Sequence, residues 1–326
     1  MREGEVRHVF YSTLGKWMQR FIKEHQACGY RYVTEGYRLR RFDQFLLDAG
    51  LQIEALPREL VVQWTTKRSH ESLTTQRLRV AIVCRFAQFL LRQGIPAYVP
   101  EPTLATARDR FTPRILTREE VRRFLCATDK MRRDGRAPWR HHIMPELFRL
   151  LYGCGLRLGE ALRLTGADVD LNTGILCIRE SKFGKDRLVP MAPSQTTRLQ
   201  RYLERIGGRT TKAIFFPAPD GYRYSHQAVY TAYRQLLRAA CISHEGRGRG
   251  PRIHDLRATF AVHRLEAWYR QGENLGAKLP VLSAYLGHAS LYGTQHYLVL
   301  TTGLFPDIVG RLDEQFGHLI PRRVQT

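Results

Sequence analysis

The 326-residue sequence lacks long apolar runs, and its N-terminus lacks an apolar segment of any length. No stretch of about 18 consecutive apolar residues occurs, so no transmembrane helix is predicted. The first residues, Met-Arg-Glu-Gly-Glu, carry neither the apolar core nor the small-residue cleavage site of a secretory signal. We therefore expect a cytoplasmic protein without a membrane partner.

Cysteine is scarce, and its spacing excludes the common metal and disulfide frameworks. The six cysteines form no Cys-x-x-Cys pair and have no neighbouring histidine at zinc-ligand spacing. A Gly-x-x-x-x-Gly-Lys loop that would bind nucleotide phosphates is also absent from the sequence. These absences predict reduced cysteines inside the core, no metal site, and no ATP or other cofactor.

Acidic residues are outnumbered by basic residues along the whole chain. The 52 Lys+Arg against 30 Asp+Glu give a formal net charge of +22. Residues 1–110 carry 18 Lys/Arg against 11 Asp/Glu, and residues 111–326 carry 34 against 19, so the excess is not confined to a tail. A basic surface on both halves favours duplex DNA as the partner. A margin of solubility, or attraction to a membrane surface, is the alternative that composition leaves open.

The first third of the chain has the pattern of a small helical bundle. Apolar residues recur at helical spacing from Leu14 to Ile22 and from Tyr37 to Leu46, and residues 57–67 and 72–92 supply two further helical stretches. A linker signature follows, because little periodicity remains and four prolines occur, at positions 96, 100, 102 and 113. We place the domain boundary near residue 110.

The second domain is predicted to be mainly helical with one small β-hairpin. Thr117 to Glu120 forms a capping box, which predicts a helix to about Ala127. Residues 174–178 and 187–189 are short β-prone runs joined by a glycine-containing turn. Helical spacing returns in residues 225–240, 254–270 and 279–285. The predicted fold class is therefore mainly α with a small β-hairpin, or α+β.

Polar residues at predicted helix starts are the first candidates for chemistry. Arg157 and Glu160 lie three positions apart and are predicted to share one helical face, so the carboxylate can orient a guanidinium group that remains available to an anion. His254 and Arg257 repeat this spacing at a predicted helix start after Pro251, where backbone N–H groups favour anions. The alternatives are a surface ion pair for the first motif and simple capping by Asp255 for the second.

Two further candidates lie nine positions apart near the end of the chain. Leu-Gly-His ends at His288, and Thr-Gln-His-Tyr ends at Tyr297. One tyrosine among 15 carries little information by itself, because most tyrosines are half-buried packing residues.

The order of these residues resembles the tyrosine recombinase (phage integrase) family across the whole second domain. That family has a Gly-x-Arg-x-x-Glu helix, a hairpin lysine ahead of an Arg-x-Val-Pro run, and a nucleophilic tyrosine nine residues beyond Leu-Gly-His. The matching residues here are Arg157 with Glu160, Lys182 ahead of Arg187 to Pro190, His254 with Arg257, His288, and Tyr297. The resemblance implies a site-specific recombinase that cleaves and religates duplex DNA through a 3′-phosphotyrosine, with strand exchange via a Holliday junction.

Cleavage of a phosphodiester without metal requires its developing negative charge to be neutralised. Arg157 and Arg257 carry planar, permanently charged groups that match the geometry of a phosphate, so we predict that they stabilise the transition state. His288 is expected to add a hydrogen bond there, and Glu160 is expected to support the arginines rather than react.

The same reaction requires a nucleophile and two proton transfers. A phenol with a reference pKa of about 10 is a poor nucleophile at neutral pH, so the surrounding cations must favour the phenolate in the transition state. We predict Tyr297 as the nucleophile and His254 as its proton acceptor. The resemblance implies Lys182 as the general acid for the leaving 5′ oxygen.

The resemblance also implies how DNA is bound and how protomers assemble. Residues 1–110 would be the helical core-binding domain with its linker, and residues 111–326 the catalytic domain. A homo-tetramer would act on two DNA sites, formed from protein that is monomeric off DNA, with possible accessory DNA-bending or directionality proteins. The basic residues predicted to contact DNA are Arg108, Arg110, Arg114, Lys185, Arg187, Arg247, Arg249 and Arg252.

An apolar stripe after the tyrosine has two interpretations. Residues from Leu304 to Phe316 show helical spacing, which fits packing on their own domain and equally fits docking into a neighbouring protomer. The resemblance favours exchange of this helix between protomers.

Other functions for the same residue set remain open at this point. A type IB topoisomerase or a telomere-resolving enzyme would use similar chemistry, and a non-catalytic DNA-binding regulator could keep the fold alone.

Overall fold

The structure is a computed structural model that describes residues 8–30, 32–101, 112–179, 186–208, 211–246 and 250–316. The chain divides into two compact units, Met1–Arg110 and Phe111–Thr326. In the described parts, no helix is long and apolar enough to cross a membrane.

The first unit is built from four helices in its described residues. They are α1 (Gly15–Ala27), α2 (Val33–Asp48), α3 (Arg58–Thr65) and α4 (Leu73–Arg92). The start of α4 is fixed by Ser72, whose hydroxyl accepts a hydrogen bond from the backbone N–H of Thr75 at 3.2 Å. Each helix turns its apolar face inward, so the unit has a hydrophobic core of its own.

Aromatic rings form much of the core of the first unit. Phe21 lies between Phe86 and Phe89, with ring centroids 5.7 and 5.4 Å away. Phe42 packs on Trp64 at 5.2 Å. Offset or edge-to-face contacts of this kind add to the free energy gained by burying the rings, so the helices are held in one arrangement.

The second unit is mainly helical with a small sheet. Its elements are α5 (Arg118–Asp129), α6 (Arg140–Gly153), α7 (Leu158–Arg163), β1 (Val169–Asp170), β2 (Ile175–Ile178), β3 (Arg187–Pro190), α8 (Pro193–Arg205), α9 (His226–Ala239), α10 (Ile253–Arg270), α11 (Leu275–Leu286), α12 (Tyr292–Gln295) and α13 (Phe305–Phe316). Short 3-10 turns cover Gly166–Asp168, Leu298–Leu300 and Thr302–Leu304. The predicted fold class is confirmed.

The predicted capping box begins α5. The Thr117 hydroxyl accepts the Glu120 backbone N–H at 3.1 Å, and the Glu120 carboxylate accepts the Thr117 N–H at 2.8 Å. Both donors would otherwise lack an intrahelical partner, so the helix begins at this point.

The sheet of the second unit is antiparallel, in the order β1-β2-β3 among the described residues. The predicted β2 and β3 pair with Ile178 opposite Arg187 and Ile175 opposite Pro190. Residues 180–185, which join them and include Lys182, lie outside the described part of the chain. The two-residue strand β1, which pairs Val169 with Leu176, was not predicted because it is too short to show periodicity.

Helix α10 runs through the middle of the second unit. Eleven of its residues are buried, and they lie on all sides of the helix rather than on one stripe. A helix surrounded in this way buries its polar residues too, and Arg257 is only 1% exposed. Because α10 lies in the interior of the unit, the positive charge of Arg257 is buried.

The expectation that the cysteines are core residues is wrong for most of them. All six are free, but only Cys154 is buried, whereas Cys28, Cys126 and Cys241 are exposed. No apolar periodicity in the sequence distinguishes the exposed cysteines from the buried one.

Candidate active site

Arg157 immediately precedes a helix instead of lying within one. It is the N-cap of α7, with extended backbone, so the prediction of one continuous helical face for Arg157 and Glu160 is wrong in detail. The Glu160 carboxylate accepts both the backbone N–H of Arg157 at 2.9 Å and its Nη1 at 2.7 Å. The same carboxylate therefore both fixes the start of α7 and orients the guanidinium group of Arg157.

Glu160 is shared by a second arginine from the sheet. Arg187 on β3 donates from Nη2 to Oε2 at 2.9 Å and from Nη1 to Oε1 at 3.1 Å. Burial alone would raise the pKa of the Glu160 carboxyl, but the hydrogen bonds from Arg187 and from the Arg157 backbone, with the positive charges, lower it to about 2. Glu160 is therefore ionised at any physiological pH.

Arg257 is the buried cation of α10, and its partners are neutral carbonyl groups. Its Nη1 donates to the Gly155 carbonyl at 2.7 Å and its Nη2 to the Leu286 carbonyl at 2.6 Å, while its buried Nε has no partner among the described residues. No carboxylate in the described residues lies within salt-bridge distance of it. Burial, and then the charge of Arg157, lower the pKa of Arg257 to about 10, which still leaves it charged.

The loop before α7 requires glycine where it meets Arg257. Gly155 has a φ of +59°, which side-chain-bearing residues rarely adopt. A Cβ there would lie 2.6 Å from Phe260 and 2.9 Å from Leu286. The glycine therefore allows the backbone to approach α10 closely enough for its carbonyl to accept from Arg257.

The C-terminus of α11 brings the two predicted arginines together. Arg257 donates to the carbonyl of Leu286, and Arg157 Nη2 lies 3.4 Å from the carbonyl of Gly287. The carbonyl groups at a helix C-terminus carry partial negative charge and therefore favour cations. Two guanidinium groups distant in sequence thus converge on adjacent backbone oxygens.

His254 lies in the first turn of α10, one turn before Arg257, and its side chain reaches solvent. Loss of solvation, and then the charges of Arg257 and Arg157, lower the pKa of His254. The imidazole is therefore neutral at physiological pH and can accept a proton. Asp255 accepts the Arg252 backbone N–H at 2.9 Å, so its capping role is observed alongside this site.

His288 directly follows the left-handed C-cap of α11. Gly287 has a φ of +68° there, and a Cβ on it would lie 2.9 Å from the Arg187 guanidinium. The Nδ1 of His288 is 2.8 Å from the hydroxyl of buried Thr294. Burial, and then the charges of Arg257 and Arg157, lower the pKa of His288 to about 4, so this ring is also neutral.

Tyr297 lies in the same segment, with its ring packed in the core. It is 6% exposed and belongs to a cluster that includes Ala258 and Leu286. Its ring centroid is 6.0 Å from that of His288. Ala258 directly follows Arg257 in α10, so packing holds the Tyr297 ring next to the part of α10 that carries Arg257 and next to His288.

Six of the predicted site residues are thus brought together. They are Arg157, Glu160, His254, Arg257, His288 and Tyr297. Counting Arg187, the described part of the site holds three guanidinium groups and one carboxylate, a net charge of +2; Arg157 and Arg187 share the Glu160 carboxylate, whereas Arg257 contacts only carbonyl groups. Such a site requires an anion to balance it.

Two residues of the site were not predicted in their observed positions. Arg187 was predicted as a DNA contact, but its Nε, Nη1 and Nη2 contact the Tyr285 carbonyl and Glu160, and its side chain is 9% exposed. Thr294, which holds His288, was not considered. The Arg-Leu-Val-Pro run was the available signal for Arg187, whereas a single threonine carries no such signal.

A cleft opens beside the starts of α7 and α10. It is lined by Leu158, His226, Tyr230, His244, Arg252 and Ile253, among others. Exposed Arg252 borders this cleft, while Arg114 pairs with Glu120 at 2.7 Å and contacts the Ser243 carbonyl. The DNA contacts assigned to these arginines stay predictions.

Several predicted residues lie outside the described part of the chain. These are Lys182, Lys185, Arg108, Arg110, Arg247 and Arg249. In the residues that are described, no group of three or more His, Cys, Asp or Glu side chains could hold a metal ion.

Comparisons with known proteins agree over both units. The sequence profile of the phage integrase family matches residues 114–302. The chain is 33% identical over 324 residues to a Sinorhizobium fredii protein named integrase/recombinase y4rB, with 94% of this chain and 98% of that protein covered. It is 29% identical over 290 residues to tyrosine recombinase XerD of Pseudomonas aeruginosa, with 85% and 89% covered.

Two solved structures have similar folds. The Tn1549 transposon integrase, in complex with transposon right end DNA, gives a TM-score of 0.62 at 17% identity, with 86% of this chain and 94% of that chain covered. A lambda integrase tetramer bound to a Holliday junction gives 0.59 at 18% identity, with 86% and 78% covered.

Proposed function

This chain belongs to the phage integrase family of DNA breaking-and-rejoining enzymes, and from that premise we propose how its own residues carry out site-specific recombination. The observation that carries the proposal is the charge of the buried site. Arg157 and Arg187 share the single carboxylate of Glu160, and buried Arg257 contacts only backbone carbonyls among the described residues. A DNA phosphate is an anion, and two of its oxygens match the planar fork of a guanidinium group.

In the cleavage step, the Tyr297 oxygen attacks the phosphorus of one DNA strand. A bond forms between this oxygen and phosphorus, the bond from phosphorus to the 5′ oxygen breaks, and a 3′-phosphotyrosine results. The neutral His254 accepts the phenolic proton, and Lys182 supplies a proton to the departing 5′ oxygen. Attack of a 5′ hydroxyl from a second strand reverses these bond changes, so strand exchange consumes no ATP.

Arg157 and Arg257 stabilise the transition state because negative charge grows on the non-bridging oxygens as Tyr297 attacks. Both guanidinium groups are held in place before DNA arrives, so little reorganisation is needed during the reaction. The neutral His288 adds a hydrogen bond to the same oxygens. We assign Arg187 to holding Glu160, because its two terminal nitrogens donate to the two oxygens of that carboxylate.

The contact with Thr294 also supports one tautomer of His288, with the proton on Nε2. If the Thr294 hydroxyl donates to Nδ1, the remaining Nε2 carries the proton and can donate to phosphate. Thr294 is fully buried, so its hydroxyl has no water to bond instead. We therefore assign Thr294 as a positioning residue for His288.

The assembly follows from the same family. We propose that four protomers act on two DNA sites, with residues 1–110 as the core-binding domain and the C-terminal helix α13 exchanged between neighbours. In α13, Phe305 is 57% exposed and Val309 is 62% exposed, whereas the preceding Leu304 is buried. Exposed apolar residues at one helix face favour a protein partner. Accessory DNA-bending proteins and action at the bacterial nucleoid complete this proposal.

A plasmid assay separates recombination from its rivals. The target site is first identified by sequencing recombination junctions in cells. Supercoiled plasmids with one or two copies of this site are then incubated with the wild type, Tyr297→Phe or Tyr292→Phe. We expect recombinant products only from the paired sites, loss of product in Tyr297→Phe, and normal product from the nearby control Tyr292→Phe. Relaxation independent of paired sites would instead identify a topoisomerase, and DNA binding without any strand breakage would identify a regulator.

A further inference from the structure

The first unit contains a pocket that no sequence motif indicated. It lies between α2, the end of α3 and the start of α4, with a volume of about 410 Å³. The residues that give it chemical character are Arg38, Arg41, Trp64, Arg68, His70 and Arg79. Four arginines thus surround one small cavity.

Only part of this positive charge is neutralised by described residues. Glu71 pairs with Arg79 through two hydrogen bonds, of 2.9 Å to Nε and 2.5 Å to Nη2. Glu35 lies 3.6 Å from Arg38. The four guanidinium groups therefore outnumber the two carboxylates, and the charges of Arg41 and Arg68 are left without a paired carboxylate among the described residues.

Two buried donors at the pocket lack acceptors. Trp64 Nε1 and Arg79 Nη1 have no hydrogen-bond partner in the described part of the chain, and these residues are 4% and 7% exposed. A buried donor without a partner costs roughly 1–3 kcal/mol, and more when it is charged. Both residues line the pocket, so its wall contains donors that the described residues do not satisfy.

The surroundings of Trp64 favour an oxyanion over a nucleic-acid base. Arg68 and Arg79 lie over its ring at 4.7 and 5.3 Å, and Phe42 and Phe45 pack on it at 5.2 and 5.1 Å. A base needs an open aromatic face for stacking, and this ring is almost fully covered. A phosphate needs donors and positive charge instead, and the pocket supplies both.

We propose that this pocket binds one backbone phosphate of the duplex DNA substrate, with Arg41 and Arg68 neutralising it. This inference rests on the proposed function for the identity of the anion. A free inorganic phosphate has the same chemistry and is the other possible source. Proximity to Arg79 and Arg41 also lowers the pKa of Arg68, after the larger effect of burial, as expected where an anion is needed.

The test replaces the exposed Arg41 and Arg68 and keeps the half-buried Arg38 and the buried Arg79. The full-length Arg41→Gln, Arg68→Gln double variant is compared with Arg92→Gln, which removes a charge at the other end of α4 with 59% of the side chain exposed. Binding to a 40-base-pair duplex of arbitrary sequence is measured by fluorescence anisotropy from 50 to 300 mM NaCl, because backbone contacts do not depend on sequence.

We expect the double variant to lose about tenfold in affinity and the slope of log K against log salt to flatten by about 1, while Arg92→Gln changes neither. If the double variant and Arg92→Gln reduced DNA affinity equally, the proposal that this pocket binds a phosphate would be wrong. Thermal stabilisation by inorganic phosphate that the double variant loses, without any change in DNA binding, would overturn DNA as the source. Both variants retain Tyr297, so covalent attachment to DNA at saturating protein tests the proposed function separately.

Discussion

Glu160 is the residue whose removal tests the electrostatics of the site most quantitatively. Glu160→Gln keeps the size and one acceptor of the side chain but removes the carboxylate that Arg157 and Arg187 share. The pKa of this carboxyl falls from 4.5 to about 2 on folding, which corresponds to about 3 kcal/mol. Breaking a buried ion pair on one side typically costs about 3–5 kcal/mol. We expect the second unit to lose about 3 kcal/mol of unfolding free energy at pH 7.

Hydrogen exchange in urea measures this loss in the relevant unit. Peptides from α10 report the opening of the second unit alone, so the first unit does not obscure the result. The control is Glu119→Gln, since Glu119 forms the same i,i+3 pair with Arg122 but on the exposed surface. Surface pairs contribute little, so the control should be indistinguishable from wild type. Equal stability of Glu160→Gln and Glu119→Gln would refute the reasoning.

The pH dependence of the unfolding free energy tests whether the Glu160 charge is the source of this stabilisation. Because the folded-state pKa of Glu160 is lowered, its stabilisation is complete above the unfolded value of 4.5 and is lost as pH falls toward about 2. The difference between the wild type and Glu160→Gln should therefore shrink by roughly 1.4 kcal/mol between pH 7 and pH 3.5. A constant difference over this range would mean that the carboxylate charge is not its source.

Three further predictions concern catalysis and assembly. Arg257→Lys keeps the charge but cannot reach both carbonyls, so single-turnover cleavage should fall at least about 100-fold with DNA affinity nearly unchanged; an equal loss of both would contradict a transition-state role. Thr294→Val should slow cleavage about tenfold while Thr294→Ser restores it, and failure of serine to restore the rate would leave only a packing role. Deletion of residues 303–326 should abolish pairing of two sites in a gel-shift assay and spare binding to one site; unchanged recombination would defeat the exchange of α13.

The predictable part of the fold depended on local sequence signals. The capping box at Thr117, the pairing of β2 with β3, and the long amphipathic helices all arise from residues close together in the chain. Helix α11 shows the limit of this approach, because it begins at Leu275, four residues before the predicted start. Its N-cap Asn274 accepts the Ala277 N–H at 3.2 Å, a signal that Pro280 within the helix obscured.

The site was predictable in residue type but not in its contacts. The family resemblance, which the comparisons confirm, supplied Arg157, Arg257 and Tyr297. The bond from Arg257 to the Gly155 carbonyl spans 102 residues, and the pairing of Arg187 with Glu160 spans 27. Such contacts depend on how α10, the sheet and α11 pack together, which no local pattern reports.

The most direct measurement is the identity of the residue that becomes bonded to DNA. A nicked substrate that loses its 5′ end after cleavage traps the covalent complex, which is then digested with nuclease and trypsin for tandem mass spectrometry. The peptide covering residues 279–311 contains Tyr285, Tyr292 and Tyr297, so its fragment ions distinguish the three. The account predicts a nucleotide phosphate on Tyr297 alone; a phosphate on either other tyrosine, or a trapped complex with none on this peptide, would contradict it.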